Sequence, residues 1–487
     1  MAADANPEHT RFRGTDPNQA WSRATGQRHV FRMRRKHVHW LEIEDLLFHH
    51  NSAVMMPDRL TQAPFDGSSA QTRVSGLAVL KAALVHAHTH RDQRLLVAGH
   101  TDTSGHATFN ESLSKQRADH VHATLMGRES QWVSIALGRH TVADYQYILT
   151  WIAQSFGWTR CDPQGIDGIH GSRTTQAIKQ FQRAYSNWGR GKPIAIDGIL
   201  GPQTWTAVYW IYQHRLGEMT ESDETRLTDL RGAVQFLGPA TTGCGEYHPI
   251  DMPHKDDYRS QVNRRVELLF YEPGEEPEQT VGGTCHAGGN AAASDCPVYN
   301  TTDYAFLYLT AWQARWDRSS VNSRDNEARM ILSAPDLAPG TRVTFEVVQD
   351  GFGKIGSVES TSEVAGASAI WSHWYAPERV TDEFHLKGPG ARFPLVTFRF
   401  IAHAAGRAER SATLAYSDFV QLKFRYAQPA DEADTPAERA VIVHSPWGTL
   451  VTETGSGEDE EDELQLDALP PGGITITMPD YTLVDFG

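Results

Sequence analysis

Cysteine is scarce in this chain, with four among 487 residues. None of the four stands at zinc-ligand spacing from another, which excludes a zinc ribbon or finger. Cys285 and Cys296 flank a Gly/Ala-rich loop, so a local bridge and free thiols are both open readings. Long apolar runs are missing too: nothing approaches the ~18 residues of a membrane span. Positive charge is in deficit. Acidic residues number 60 against 45 basic ones, a formal net charge of −15. Phosphate binding needs clustered Lys and Arg, so no nucleic-acid partner is expected. The basic stretch Arg32–Lys36 is a local exception and reads as a solvated strand entry. Residues Met1–Gly14 lack the basic and apolar regions of a secretory leader. The hydrolase motifs HExxH, GxSxG and SxxK ahead of KTG are also missing, so the expectation is no enzyme and no cofactor.

What is present describes a globular protein of several domains. Hydrophobic residues make up 40% and charged residues 22%, and the chain is too long for one core. Phe48–Pro57 reads as a strand turning into a helix. Gly76–His88 follows, with Leu77, Leu80, Leu84 and Val85 on one helical face. Arg94–Ala98 is a short buried strand, and GHTDTSG, Gly99–Gly105, is a turn-forming loop. Asn110–Leu125 is a second helix, with Leu113, Ala118, Val121 and Leu125 inward. The order is βαβα.

Gly99, His100, Thr101, Asp102, Gly105, Asn110, Leu113, Ser114, Arg117, Ala118 and Val121 match GHTD-x-x-G followed by N-x-x-LS-x-x-RA-x-x-V. This resembles the OmpA C-terminal-like, peptidoglycan-associated family. Its closing NRRVE stands at Asn263–Glu267. Ahead of that, GCGEYHP at Gly243–Pro249 matches the family's GYGE-x-x-P, with Cys244 in place of the aromatic. The resemblance implies a βαβαβ fold that binds the diaminopimelate of a peptidoglycan stem peptide. By the same resemblance Asp102 faces the ligand amine and Arg117 clasps its carboxylate, as a planar guanidinium can. Thr101, Asn110 and Leu113 would line the pocket, and Arg264 would approach the sugar or peptide. The bland alternatives are a turn cap at Asp102 and a surface ion pair at Arg117. Asn263 and Glu267 read as holding the last strand to the core.

Between the two halves lies an internal repeat, Asp167-Gly-Ile-His-Gly-Ser-Arg-Thr and Asp197-Gly-Ile-Leu-Gly-Pro-Gln-Thr, separated by AIKQFQRAY at Ala177–Tyr185. Ile178, Phe181 and Tyr185 fall at helical spacing. The stretch resembles the small three-helix peptidoglycan-binding fold over about Tyr145–Tyr212. Asp167 and Asp197 read as turn residues, and ligand contact would come from a groove at Arg173, Gln182 or Trp205. His86 and His90 stand at i, i+4, but no further ligand follows at metal spacing, so an exposed helix end is the reading and no metal is expected.

The second half is β. Alternation at Val343, Phe345, Val347, at Val396, Phe398, Phe400 and at Val420, Leu422, Phe424, Tyr426 points to an antiparallel, Ig-like sandwich. Trp312, Trp316, Trp371 and Trp374 read as core. The acidic run Glu458–Glu463 reads as a solvated loop. Leu469-Pro470-Pro471-Gly472 resembles the turn before the final strands of small prealbumin-like modules.

The expected division is a polar tail at 1–30, an OmpA-like domain at 31–144 and 216–272, and an inserted helical domain at 145–215. A linker follows at 273–299, then a β-sandwich at 300–428 and a small acidic β module at 436–487. The expected fold class is therefore multidomain α+β. The function expected is non-catalytic tethering of a protein or assembly to the cell wall, acting at the periplasm or cell wall, with leaderless delivery from the cytoplasm also open. Two alternatives stand beside it: a part or cargo of a contractile, type VI-like injection apparatus, and a wall hydrolase with an unrecognised site.

Overall fold

The computed structural model describes residues 36–43, 48–58, 60, 75–220, 226–253, 255–277, 296–299, 304–322, 325–351, 353–374, 384–387, 396–416, 422–425, 440–445, 448–453, 463–466 and 475–477. The N-terminal tail, Cys285, Val420, Tyr426, Leu469–Gly472 and the acidic run up to Asp462 lie outside them. The architecture is mixed α+β, with seven α-helices and several sheets among the described residues. None of those helices is long and apolar enough to cross a membrane. The chain forms two compact units, Met1–Gln313 with Ala334–Asp336, and Ala314–Ser333 with Leu337–Gly487.

In the first unit β1 (Lys36–Ile43) precedes α1 (Gly76–Thr89), β2 (Arg94–Gly99) and α2 (Ala107–Met126). Five helices follow: α3 (Glu129–Arg139), α4 (Val142–Phe156), α5 (Ser172–Trp188), α6 (Pro202–Thr220) and α7 (Leu227–Ala233). The chain then returns to the sheet through β3 (Gln235–Gly243), β4 (Val266–Tyr271) and β5 (Tyr304–Tyr308). The sheet order is β3-β2-β4-β1-β5. β2 runs parallel to β3, β4 is antiparallel to both β2 and β1, and β5 is parallel to β1. β5 falls within the stretch read from sequence as the start of the sandwich, yet it completes this sheet.

Phe48–Pro57 is not a strand. Val54, Met55 and Met56 are fully buried, which explains the apolar run. Their surroundings supply isolated bonds instead of a ladder: Ala53 N–H donates to Arg139 O (3.0 Å), and Met55 O accepts from the Tyr212 hydroxyl (2.8 Å). Burial without strand pairing looks the same in a hydropathy pattern. Val85, expected on the inner face of α1, is exposed.

One hydrophobic cluster joins a sheet face (Leu41, Val97, Leu268) to α1 and α2 and to the helical insertion (Ile178, Phe181, Trp205, Tyr212). At its centre Trp132 of α3 packs against Tyr212 (5.4 Å), Tyr209 (5.7 Å) and Trp205 (5.9 Å). The insertion is thus built into the α/β core and is no separate bead.

Helix α2 lies against the sheet at two glycines. A Cβ on Gly99 would stand 2.0 Å from the Ser114 carbonyl oxygen, and one on Gly243 would stand 2.8 Å from the Glu111 carbonyl oxygen. Because backbone meets backbone there, Gly99→Ala is expected to cost upward of about 2 kcal/mol. Urea denaturation checks this, and an unchanged midpoint would mean that the helix sits further off.

The second unit is β throughout its described residues. A six-stranded sheet holds β7 (Ser320–Val321), β9 (Arg342–Gln349), β10 (Gly353–Thr361), β13 (Val396–Ala404), β14 (Arg407–Arg410) and β15 (Leu414–Tyr416). A three-stranded sheet holds β6 (Gln313–Trp316), β8 (Ala328–Ser333) and β11 (Gly366–Trp371). Val343, Phe345 and Val347 are buried, as their alternation predicts. Trp316 of one sheet meets Phe400 of the other edge-on at 4.8 Å, so the two share a core. Outside these sheets β12 (Phe384–Lys387) pairs in parallel with Gly448–Glu453, which forms a hairpin with Ala440–Ser445.

Candidate functional site

The loop between β2 and α2 is pinned by main-chain bonds. His100 N–H donates to Arg265 O and Thr101 N–H to Gly245 O, both at 2.9 Å. Thr103 Oγ1 donates to Lys255 O at 2.9 Å. These contacts fix Asp102 at the end of β2, beside the strand entry at Arg264. The Asp102 carboxylate accepts from Arg264 Nη1 (2.8 Å) and from Ser104 Oγ (2.7 Å). Arg264 also donates to Ser260 O (3.0 Å) and Phe48 O (3.2 Å).

At the rim Asn110 Nδ2 donates to Ser104 O (3.0 Å) and to the Glu246 carboxylate (2.5 Å). Burial pushes the Glu246 carboxyl above its ordinary range, the Asn110 bond opposes that, and Asp256, Glu111 and Asp102 push it further up. Four carboxylates therefore share one neighbourhood, with Arg264 paired to one of them. His50 completes the rim, with Nε2 3.3 Å from Ser104 Oγ.

Asp102, Asn110 and Arg264 are thus brought together. Thr101 and Leu113 are nearly inaccessible, at 2% exposure each. Arg117 takes a different place from the one expected. It is fully buried, and its guanidinium donates to Ser52 O (2.9 Å), His100 O (2.9 Å) and His49 O (3.2 Å). Main-chain carbonyls occupy the fork that a ligand carboxylate was expected to fill, so Arg117 ties the His49–Ser52 segment to the loop after β2. Burial, with Arg264 adding, lowers its pKa to about 9. Glu246 and Ser104 were missed as site residues, although Glu246 stands in the GCGEYHP motif.

Behind this loop is a closed polar network. Glu267, fully buried, accepts from Arg265 Nε (2.6 Å) and the Tyr299 hydroxyl (2.5 Å), and His100 Nε2 lies 2.8 Å from that hydroxyl. Cys244 is free and buried against it, and Cys296, one turn before Tyr299, is disulfide-bonded. Asn263 accepts from Ile250 N–H (2.7 Å) and Asp251 N–H (2.9 Å), so it holds the preceding loop.

In the insertion the two repeat copies build the same latch. Gln146 Nε2 donates to Asp167 (2.8 Å), Ile169 O (3.1 Å) and Thr174 (3.0 Å), and its oxygen accepts from Gly168 N–H (2.9 Å). Gln182 repeats this with Asp197 (2.8 Å), Ile199 O (3.1 Å), Thr204 (3.0 Å) and Gly198 N–H (2.9 Å). Gly168 and Gly198 take positive φ, 72° and 78°, which a side chain would resist. Gln182 is therefore a latch residue and Trp205 a core residue with no exposed surface. Neither lines a groove. Arg173 does: with Arg160, Asp162, Gln164 and Gln176 it faces an open cleft of about 590 Å³ between the 3-10 turn Thr159–Cys161 and α5.

His86 and His90 stack at 4.2 Å, and His39 lies 5.5 Å from His86. Among the described residues no group of three or more His, Cys, Asp or Glu is placed to hold a metal.

Comparison with known proteins bears on the insertion. None of the curated proteins matches the chain. One solved structure, the β-glucuronidase of Parabacteroides merdae with glycerol in its active site, is similar at 11% identity over 33% of this chain and 19% of that one. Its TM-score is 0.16, too low to speak to fold or activity. Residues 151–208, which enclose the cleft and the Gln182 latch, match the family described as "Putative peptidoglycan binding domain".

Proposed function

We propose that the chain binds peptidoglycan without cutting it, through two sites on its first unit, and so tethers a partner to the bacterial wall. The observation that carries this reading is the match of residues 151–208 to a peptidoglycan-binding family. The OmpA-like reading of the flanking halves draws support from the strand order β3-β2-β4-β1 and from Asp102 at the end of β2. In this reading Asp102 and Glu246 receive the amine of a stem-peptide diaminopimelate, and Arg264 orients Asp102. Arg117 shapes the pocket without touching ligand. The second, β unit, read as Ig-like, would carry the partner.

Sedimentation with Gram-negative sacculi tests the first site. Asp102→Asn is expected to weaken binding about tenfold, the effect of one lost charge-assisted contact. Glu246→Gln is expected to weaken it less and to flatten its decline at acid pH, because protonation of Glu246 removes the same charge. Unchanged binding by both variants would move the site elsewhere.

A further inference from the structure

The cleft beside α5 is lined by two exposed arginines, of which Arg173 also lies near the Asp167 carboxylate. Arg160 and Arg173 line it, both exposed, and neither makes a hydrogen bond or ion pair with another described residue. Asp162 lines it too. One of its carboxylate oxygens accepts from Gln164 N–H (2.8 Å) and Thr150 Oγ1 (3.3 Å), which leaves the other open. The remaining lining is rich in amides and hydroxyls, with Gln164, Gln176, Gln180, Thr159 and Ser172. No aromatic ring lines the cleft, so a sugar has no flat apolar face to lie on. Its volume of about 590 Å³ suits a short peptide.

We infer that this cleft takes the peptide stem of peptidoglycan by its free carboxylates, and not the glycan strand. The inference rests on the peptidoglycan reading above. Two guanidinium groups can each clasp a carboxylate with paired N–H donors, the Gln amides can bond the peptide main chain, and Asp162 can receive an amine. The cleft and the Asp102 pocket would then read the same chemical class, two stems of one mesh, so their affinities would combine.

The test uses the full chain carrying Asp102→Asn with Glu246→Gln, which removes both anions of the first site so that binding reports on the cleft, with two probes measured by calorimetry. One is a purified diaminopimelate-containing tripeptide stem, and the other is glycan strands stripped of peptide by an amidase. The expected result is binding of the tripeptide alone, weakened tenfold or more by Arg160→Ala with Arg173→Ala, and weakened less by Arg173→Lys. Both arginines are exposed, so thermal midpoints unchanged from the Asp102→Asn, Glu246→Gln parent chain confirm folding. Binding of stripped glycan as well as of tripeptide, no tripeptide binding, or tripeptide binding indifferent to the double replacement would overturn the inference. In each case sacculus binding by the unmodified chain would leave the peptidoglycan reading standing, and its absence would remove both.

Discussion

Replacing Glu267 by Gln is expected to destabilise the first unit by about 3–5 kcal/mol, the usual cost of stripping one partner from a buried ion pair. Burial alone would raise the Glu267 carboxyl. Arg265, then His100, and the bonds from His100 and Tyr299 overcome that and hold it well below the ordinary carboxylate range. Gln keeps the shape but removes the carboxylate that the Arg265 guanidinium, itself 1% exposed, donates to at 2.6 Å. The network joins β2, β4 and the turn at Pro297–Tyr299, so its loss should loosen the loop that carries Asp102. Denaturant titration checks the magnitude. A shift under about 1 kcal/mol would mean that water reaches the pair.

Acid is expected to destabilise this unit through its buried histidines. Burial lowers His100 to about 4, with Arg265 adding, and lowers His120 to about 3, both from 6.5. The sign follows from proton uptake. Between pH 6.5 and about 4 the unfolded chain binds these protons and the folded chain does not, so stability falls as pH falls through that window. Two such groups give a slope of about 2 kcal/mol per pH unit. His122 and His86, both lowered to about 4 chiefly by burial, add to it in the same direction but less, being less deeply enclosed. Thermal melts from pH 7 to 4.5 read the slope, and His120→Gln should make it shallower. A flat profile would contradict the burial of these rings.

The features legible in the sequence are those in which a short motif closes on itself. DG-x-x-G-x-x-T needs a left-handed glycine, an Asp accepting two residues on and a Thr near the helix start, all within eight positions, so the repeat announced its turns. Gly99 was legible as a motif glycine, although its reason, the approach of α2, shows only in three dimensions. What was not legible joins distant positions. Arg264 reaches Asp102 across 162 residues, and nothing in NRRVE says which arginine points at the HTD loop. Tyr299 comes from a stretch read from sequence as linker, yet it lies against the Cys244 side chain inside the first unit. Trp205 and Gln182 were mistaken for groove residues because helical spacing alone does not separate the inner face of α5 and α6 from the outer one.

The central claim is that this protein holds peptidoglycan and leaves it intact. The most direct test incubates the purified chain with Gram-negative sacculi, sediments them, and assays both the bound protein and the muropeptides released. The account predicts that the protein pellets with the sacculi and that the supernatant stays free of muropeptides. Protein left in the supernatant, or soluble muropeptides beside it, would contradict the account.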